Sequence, residues 1–201
     1  MVKGKAWFPK CEKVLYESVF HNPNGQMASW LMASYHVAAH SLVEIVVQGK
    51  SFTGFEGIAA VFLFRHYLEL VLKSIAVNLG RLETKEKNLP KDKWREWPSN
   101  EHKLAVLWDE VKTEFPKKMG QDWWESLDTK FIDKCVTEFH DIDPSSQRFR
   151  YPHERKITRD ELKHLGVSWS ALLRTIDHSW DVLDNMDGDA EFVYNQNKLG
   201  P

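Results

Sequence analysis

Residues 57–80 read "GIAAVFLFRHYLELVLKSIAVNLG". The run is long and apolar enough to suggest a membrane span, yet Arg65, His66, Glu69 and Lys73 lie in its middle, where each charge in hydrocarbon costs about 3 kcal/mol. On a helical wheel Arg65, Glu69 and Lys73 stack at i, i+4 and i+8 with His66 beside them, while apolar residues fill most of the remaining circumference. The pattern predicts a core helix over about 56–79, with Gly80 as its C-cap and one charged stripe along a nearly buried rod. Buried charges need partners, so the stripe is structural, and Glu69 is expected to pair with Arg148 or Arg150.

The preceding stretch, "GQMASWLMASYHVAAHSLVEIVVQG" at 25–49, has no internal Gly or Pro and predicts another long helix. Trp30, Leu31, Val37, Ala38, Leu42, Ile45 and Val46 follow the helical period, but Met32, Val43 and Val47 occupy the other side with His36 and His40. Neither side is plainly solvated, which leaves one for a second copy of the chain, so a homodimer is expected.

After a charged connection at about 81–100, "RLETKEKNLPKDKWREWPSN", a helix is predicted over about 101–115 with Pro116 as its stop. Another runs from near Asp122 and ends by Asp143, before Pro144. Thr158 and Glu161 have capping-box spacing ahead of a last helix over about 168–186. No strand-like alternation, repeat or low-complexity tract interrupts this series. The expected fold is all-α: a single-domain bundle of four to five main helices spanning 1–201, with a short N-terminal extension at about 1–25.

Composition narrows the function. A chain of 201 residues buries roughly 70% of its unfolded surface and needs no metal or disulfide staple. With 42% hydrophobic and 28% charged residues and a net charge of -2, no global basic field recruits nucleic acid or a membrane, so any anion site must be local. The two cysteines, Cys11 and Cys135, lack a metal or disulfide spacing, and the basic start "MVKGKAWFPK" is followed by no signal-peptide core. A cytoplasmic protein with buried thiols and no membrane association is expected.

Three motifs invite chemistry. His36, His40 and Glu44 have a spacing that can chelate a metal on one helical face, but further ligands are not identifiable, and the line is read as a polar seam. "DNMDGDAE" at 184–191 places its glycine one position early for an EF-hand and is read as a solvated helix end. No metal and no cofactor are therefore expected, and Walker, GxGxxG and GxSxG motifs do not occur. The third motif is "SSQRFRYPHERK" at 145–156. From Arg148 to Arg159 the chain carries Arg148, Arg150, Arg155, Lys156 and Arg159 against Glu154. Arginine forks suit phosphate oxygens, Phe149 or Tyr151 can stack on a base, and Trp94 and Trp97 repeat this chemistry among lysines. Arg148, Arg150, Tyr151, Arg155 and Lys156 are the expected phosphate or RNA contacts.

"FLFRHYLELVLKSI", the later "EHKLAVLW", "EFHDIDPSSQRFRYP" and a final amphipathic helix together resemble the HEPN superfamily over roughly 27–187, in particular bacterial members that pair an "ELxLK" helix with an "FRYP" turn. The resemblance implies a dimeric bundle of four or five helices, and for many members a metal-independent endoribonuclease of toxin, abortive-infection or RNA-processing systems. Its catalytic signature is an arginine followed after four to six residues by a histidine. Arg148 with His153 has this spacing, and Arg159 with His164 is the second choice. In such a pair histidine handles the ribose 2'-hydroxyl proton and arginine stabilises phosphate charge. A non-catalytic module that binds RNA, a nucleotide or a cognate protein partner through the same turn, or a scaffold dimer whose interface is made of tryptophans, stays open beside it.

Overall fold

A computed structural model describes residues 27–51, 55–83, 101–144 and 167–199. Among these residues the chain forms six helices and no strand: α1 Met27–Val47, α2 Phe55–Glu83, α3 Leu104–Met119, α4 Gln121–Ser126, α5 Thr129–Ile142 and α6 Trp169–Leu199. The all-α expectation holds, with one helix more than the four or five foreseen.

α2 is the axis of the bundle, in contact with α1, α3 and α6. Phe64, Tyr67, Leu68, Leu72 and Ile75 are fully buried along it, because apolar residues occupy three sides of the wheel and a neighbour covers each side. Gly57 lets the end of α6 approach, since a methyl group there would collide with the Trp169 ring. Tryptophans fill the bundle itself: Trp108 lies 5.8 Å from Trp124, and Trp180 lies 5.8 Å from Tyr67, ring centre to ring centre. Among the described residues they are core groups more than an interface, although Trp30 is 51% exposed.

Several boundaries differ from expectation. Gly80 does not cap α2, which continues to Glu83 while Arg81 reaches Asn78 Oδ1 (3.0 Å) and lies over the Tyr194 ring of α6. Residues 81–83 of the expected connection are thus helical. Pro116 does not stop α3; it sits inside the last turn, its carbonyl accepts from the Gly120 N–H, and the break comes at Gly120, whose φ of 110° suits glycine. The helix expected from Asp122 is two helices, because Asp128 caps α5 by accepting from the Phe131 N–H and also bonds His178 Nε2 at 2.9 Å. α6 runs well past 186, through "DNMDGDAE", so this motif is helix interior and not a solvated end. Val182, Leu183, Met186, Asp187 and Ala190 form its buried stripe.

α1 buries Met32, Ala39 and Val43 and exposes Trp30, Leu31 and Val37. The core side is therefore the one that carries His36. The helix is also, over Ser29–Val47, long and apolar enough to cross a membrane by length and composition.

Candidate functional site

The charged stripe of α2 ends in a closed ionic cluster. Arg65 and Glu69 are 1% and 2% exposed, and Lys73 is 15% exposed. Their i, i+4 spacing lets Glu69 take Arg65 Nη1 on Oε2 and Lys73 Nζ on Oε1, both at 2.9 Å. A fourth member comes from outside α2: His102, just before α3, places Nδ1 2.8 Å from Glu69 Oε1. Burial alone pushes the Glu69 carboxyl upward, but the hydrogen bonds from Lys73 and His102, the Lys73 charge and the bond from Arg65 outweigh it and hold the group at about 2.

Arg65 does more than pair with Glu69. Its Nη2 donates to the His102 carbonyl at 2.7 Å, and its Nε donates to the Asp143 carbonyl at 3.4 Å and lies 3.5 Å from Asp143 Oδ2. One buried guanidinium thus ties α2 to the chain entering α3 and to the chain leaving α5. Five N–H donors in a rigid fork make arginine suited to this joint. Glu101 orders the same approach by accepting from the N–H groups of His102 (2.9 Å) and Lys103 (2.7 Å).

The structure brings together the predicted stripe Arg65, Glu69 and Lys73 and adds His102 and Asp143, which sequence reasoning had missed. Among the described residues Glu69 finds Arg65 and Lys73 on its own helix and the His102 ring beside them, and its expected pairing with Arg148 or Arg150 falls on residues outside the described ones. Arg148, Arg150, Tyr151, His153, Arg155, Lys156, Arg159 and His164 lie outside the described residues, as do Trp94 and Trp97. The signal for His102 was present in "EHKLAVLW": a polar pair at the start of an apolar helical pattern, in a bundle that held a buried carboxylate short of partners.

A second polar region lies between α1, α2 and α6. His36 packs its ring 4.4 Å from Trp180 and 5.5 Å from Tyr67, and His40 contacts Asp177 at 3.3 Å. The histidines of the HxxxH line are thus engaged with α6. Among the described residues no group of three or more His, Cys, Asp or Glu is arranged to hold a metal. Burial lowers the His36 pKa and raises that of Tyr67, and neither His36 Nε2 nor the Tyr67 hydroxyl has a hydrogen-bond partner there. Further along, Asp187 receives Asn78 Nδ2 at 2.9 Å and Ser74 Oγ at 3.0 Å, and burial pushes its carboxyl up to about 6. Cys135, 3% exposed, is pushed up to about 12 by burial, as an inert core thiol would be; Cys11 lies outside the described residues.

No protein-family model, curated protein or solved structure matches this chain.

Proposed function

We propose that this chain is a HEPN-like protein that binds RNA or nucleotide phosphate through the cationic turn 145–159 and, as a metal-independent endoribonuclease, cleaves the RNA it binds. One observation supports this most: the Arg65 guanidinium holds both His102 and Asp143. The lysine- and tryptophan-rich connection enters the bundle at the first, and the arginine-rich turn leaves it directly after the second. Two segments with phosphate-binding composition are thus tethered at one joint, and a net charge of -2 leaves such local patches as the means of meeting an anion. In this role Arg148, Arg150, Tyr151, Arg155 and Lys156 contact phosphate and base, Arg148 with His153 performs the transfer, and Arg159 with His164 is the second pair. The setting is a cytoplasmic toxin or phage-defence system with a cognate protein partner.

Binding is tested by fluorescence anisotropy with a labelled single-stranded RNA. The affinity should fall steeply with salt, and Arg148→Ala should weaken it about tenfold, as expected for one charge-assisted bond worth about 1.5 kcal/mol. Salt-independent or undetectable binding would refute the assignment. A non-catalytic dimeric scaffold is the second reading, favoured by the exposed Trp30, Leu31 and Val37 on α1.

A further inference from the structure

α1 and α6 meet along an edge whose charges are of one sign. Within Met27–Val47 the single Asp, Glu, Lys or Arg is Glu44. Within Trp169–Leu199 the acids Asp177, Asp181, Asp184, Asp187, Asp189 and Glu191 stand against only Arg174 and Lys198. Asp187 is buried and Asp189 half-buried, but Asp177, Asp181, Asp184 and Glu191 are exposed, and their i, i+4, i+7 and i+14 spacing puts them on one face of α6. This row runs beside α1: Asp177 contacts His40 at 3.3 Å, and Asp181 and Asp184 are near enough to His36 to act on its charge.

The outward face of α1 next to the row is apolar. Trp30 and Val37, one heptad apart, are 51% and 60% exposed, and Leu31 is 45% exposed. Ser34 and Ser41, each one turn further along, are exposed as well. The Ser34 hydroxyl is turned back onto the Trp30 carbonyl at 2.7 Å, so its donor is already used. Small side chains therefore line the floor of a shallow trough, with Trp30 and Val37 on the side nearer α6 and Leu31 on the other.

Helix stability does not account for this edge. On α3 and α5, acids such as Asp109, Glu114 and Glu138 pair with lysines one turn away. One turn from Asp177 is Asp181, and like charges at that spacing destabilise a helix. Among the described residues no lysine or arginine pairs with the row. The dimeric scaffold considered above would need this same face, but a second copy brings the same carboxylates, with only Arg174 and Lys198 on its own α1 and α6 to answer them. Anionic lipid headgroups meet the same repulsion. A cationic partner relieves it.

We propose that the edge between α1 and α6 docks an amphipathic helix of another protein, whose apolar side lies over Ser34 and Ser41 against Trp30, Leu31 and Val37, and whose flanking lysines or arginines pair with Asp177, Asp181 and Asp184. Apolar anchors at i, i+3, i+4 and i+7 give such a helix its grip, and the charges set its orientation and speed its encounter. The edge is separate from the cationic turn and serves with or without RNA.

The test uses the full chain and a labelled synthetic helical peptide of about five turns, with leucine along one face and lysine on both flanks. The control peptide has glutamate in place of every lysine. Binding is measured by fluorescence anisotropy for wild type, for Trp30→Ser with Val37→Ser, and for Asp177→Asn with Asp181→Asn and Asp184→Asn, each checked for folding by circular dichroism. The lysine peptide should bind wild type at least about tenfold more tightly than the control, and salt should narrow that difference. The serine variant should weaken the lysine peptide about tenfold or more, and the asparagine variant should remove the preference for lysine over glutamate. Single substitutions Val37→Ser and Asp181→Asn, at exposed positions, carry the test in smaller steps if a multiple variant does not fold. The assignment is overturned if wild type binds neither peptide, if it binds both alike, or if the serine variant binds as wild type does. It is overturned in favour of a second copy if sedimentation shows a wild-type dimer that the serine variant breaks. Binding to phosphatidylserine vesicles that the serine variant abolishes would overturn it in favour of a lipid surface.

Discussion

Glu69 on α2 and Asp187 on α6, which packs against α2, are both buried carboxylates, at 2% and 8% exposure, yet their surroundings drive them in opposite directions. Glu69 has Arg65, Lys73 and His102 around it and is held at about 2. Asp187 has two neutral donors, Ser74 and Asn78, with Asp184 and Glu191 adding negative charge nearby, and burial takes it to about 6. Desolvation acts on both; the number of cations within bonding distance decides which direction wins. The middle of α2 therefore carries an ionised joint, and its next turns, at Ser74 and Asn78, face a carboxyl of α6 that changes charge near neutrality.

The largest effect should follow from removing the anion of the joint. Glu69→Leu removes the carboxylate that Arg65 and Lys73 share in a low-dielectric site, leaving Arg65 with Asp143 at the longer distance of 3.5 Å, and should cost about 3–5 kcal/mol in urea unfolding. Adding Arg65→Met to that variant should recover part of the loss, since the strandedness of the cation, more than the missing pair, is what destabilises. Additive losses from the two substitutions would mean that the cluster is not coupled as its distances imply.

A smaller effect of opposite sense is expected at Asp187. Its folded-state pKa, about 6, lies above the ordinary value of 3.8, so the stability it contributes is full below the lower value and is lost as pH rises through 6. For Glu69, held at about 2 against an ordinary 4.5, the contribution is full above 4.5 and is lost as pH falls through 2. Asp187→Asn should therefore stabilise the protein at pH 7 by about 1–2 kcal/mol, with the gain gone by pH 4. Unfolding free energies for both proteins across that range decide it. A gain that is constant with pH would show that the Asp187 carboxyl titrates alike in the folded and unfolded protein, so that burial does not raise it.

The contrast also explains which parts of the molecule could be read from the chain. α2 was legible because its apolar circumference and its i, i+4, i+8 charges are local features, and local features fix a helix. The stripe was legible for the same reason. His102 and Asp143 were not, because Glu69 meets His102 across 33 residues of chain and Arg65 meets Asp143 across 78. Asp187 was lost for another reason: in "DNMDGDAE" the glycine and the acids imitate a helix end, and only packing against Ser74 and Asn78 overrides that local preference. Pro116 misled similarly, since a proline near the end of a helix removes one hydrogen bond while Phe115 stays anchored in the core.

The smallest predicted effect concerns the neighbour of the Asp187 region, and it sharpens the comparison because it has the reverse sign in the same pH window. His36 is flanked by Tyr67 and Trp180, with His40, Asp177, Asp181 and Asp184 close enough to act on its charge. Burial is the largest influence and lowers its pKa below 6.5, so the stability it contributes is full above 6.5 and declines as pH drops beneath it. Phenylalanine keeps the stacking on Trp180 and removes a buried Nε2 that has no partner among the described residues, at the cost of a hydrogen bond with the Ile176 backbone. His36→Phe should thus be near neutral at pH 7 and stabilising by less than about 1 kcal/mol at pH 5.5. Combined with Asp187→Asn, it should leave a stability profile nearly flat between pH 7 and 5, where only Glu69, already fully ionised, remains of the three groups. A slope that persists in the double variant would locate the titrating group elsewhere than in the seam between α1, α2 and α6.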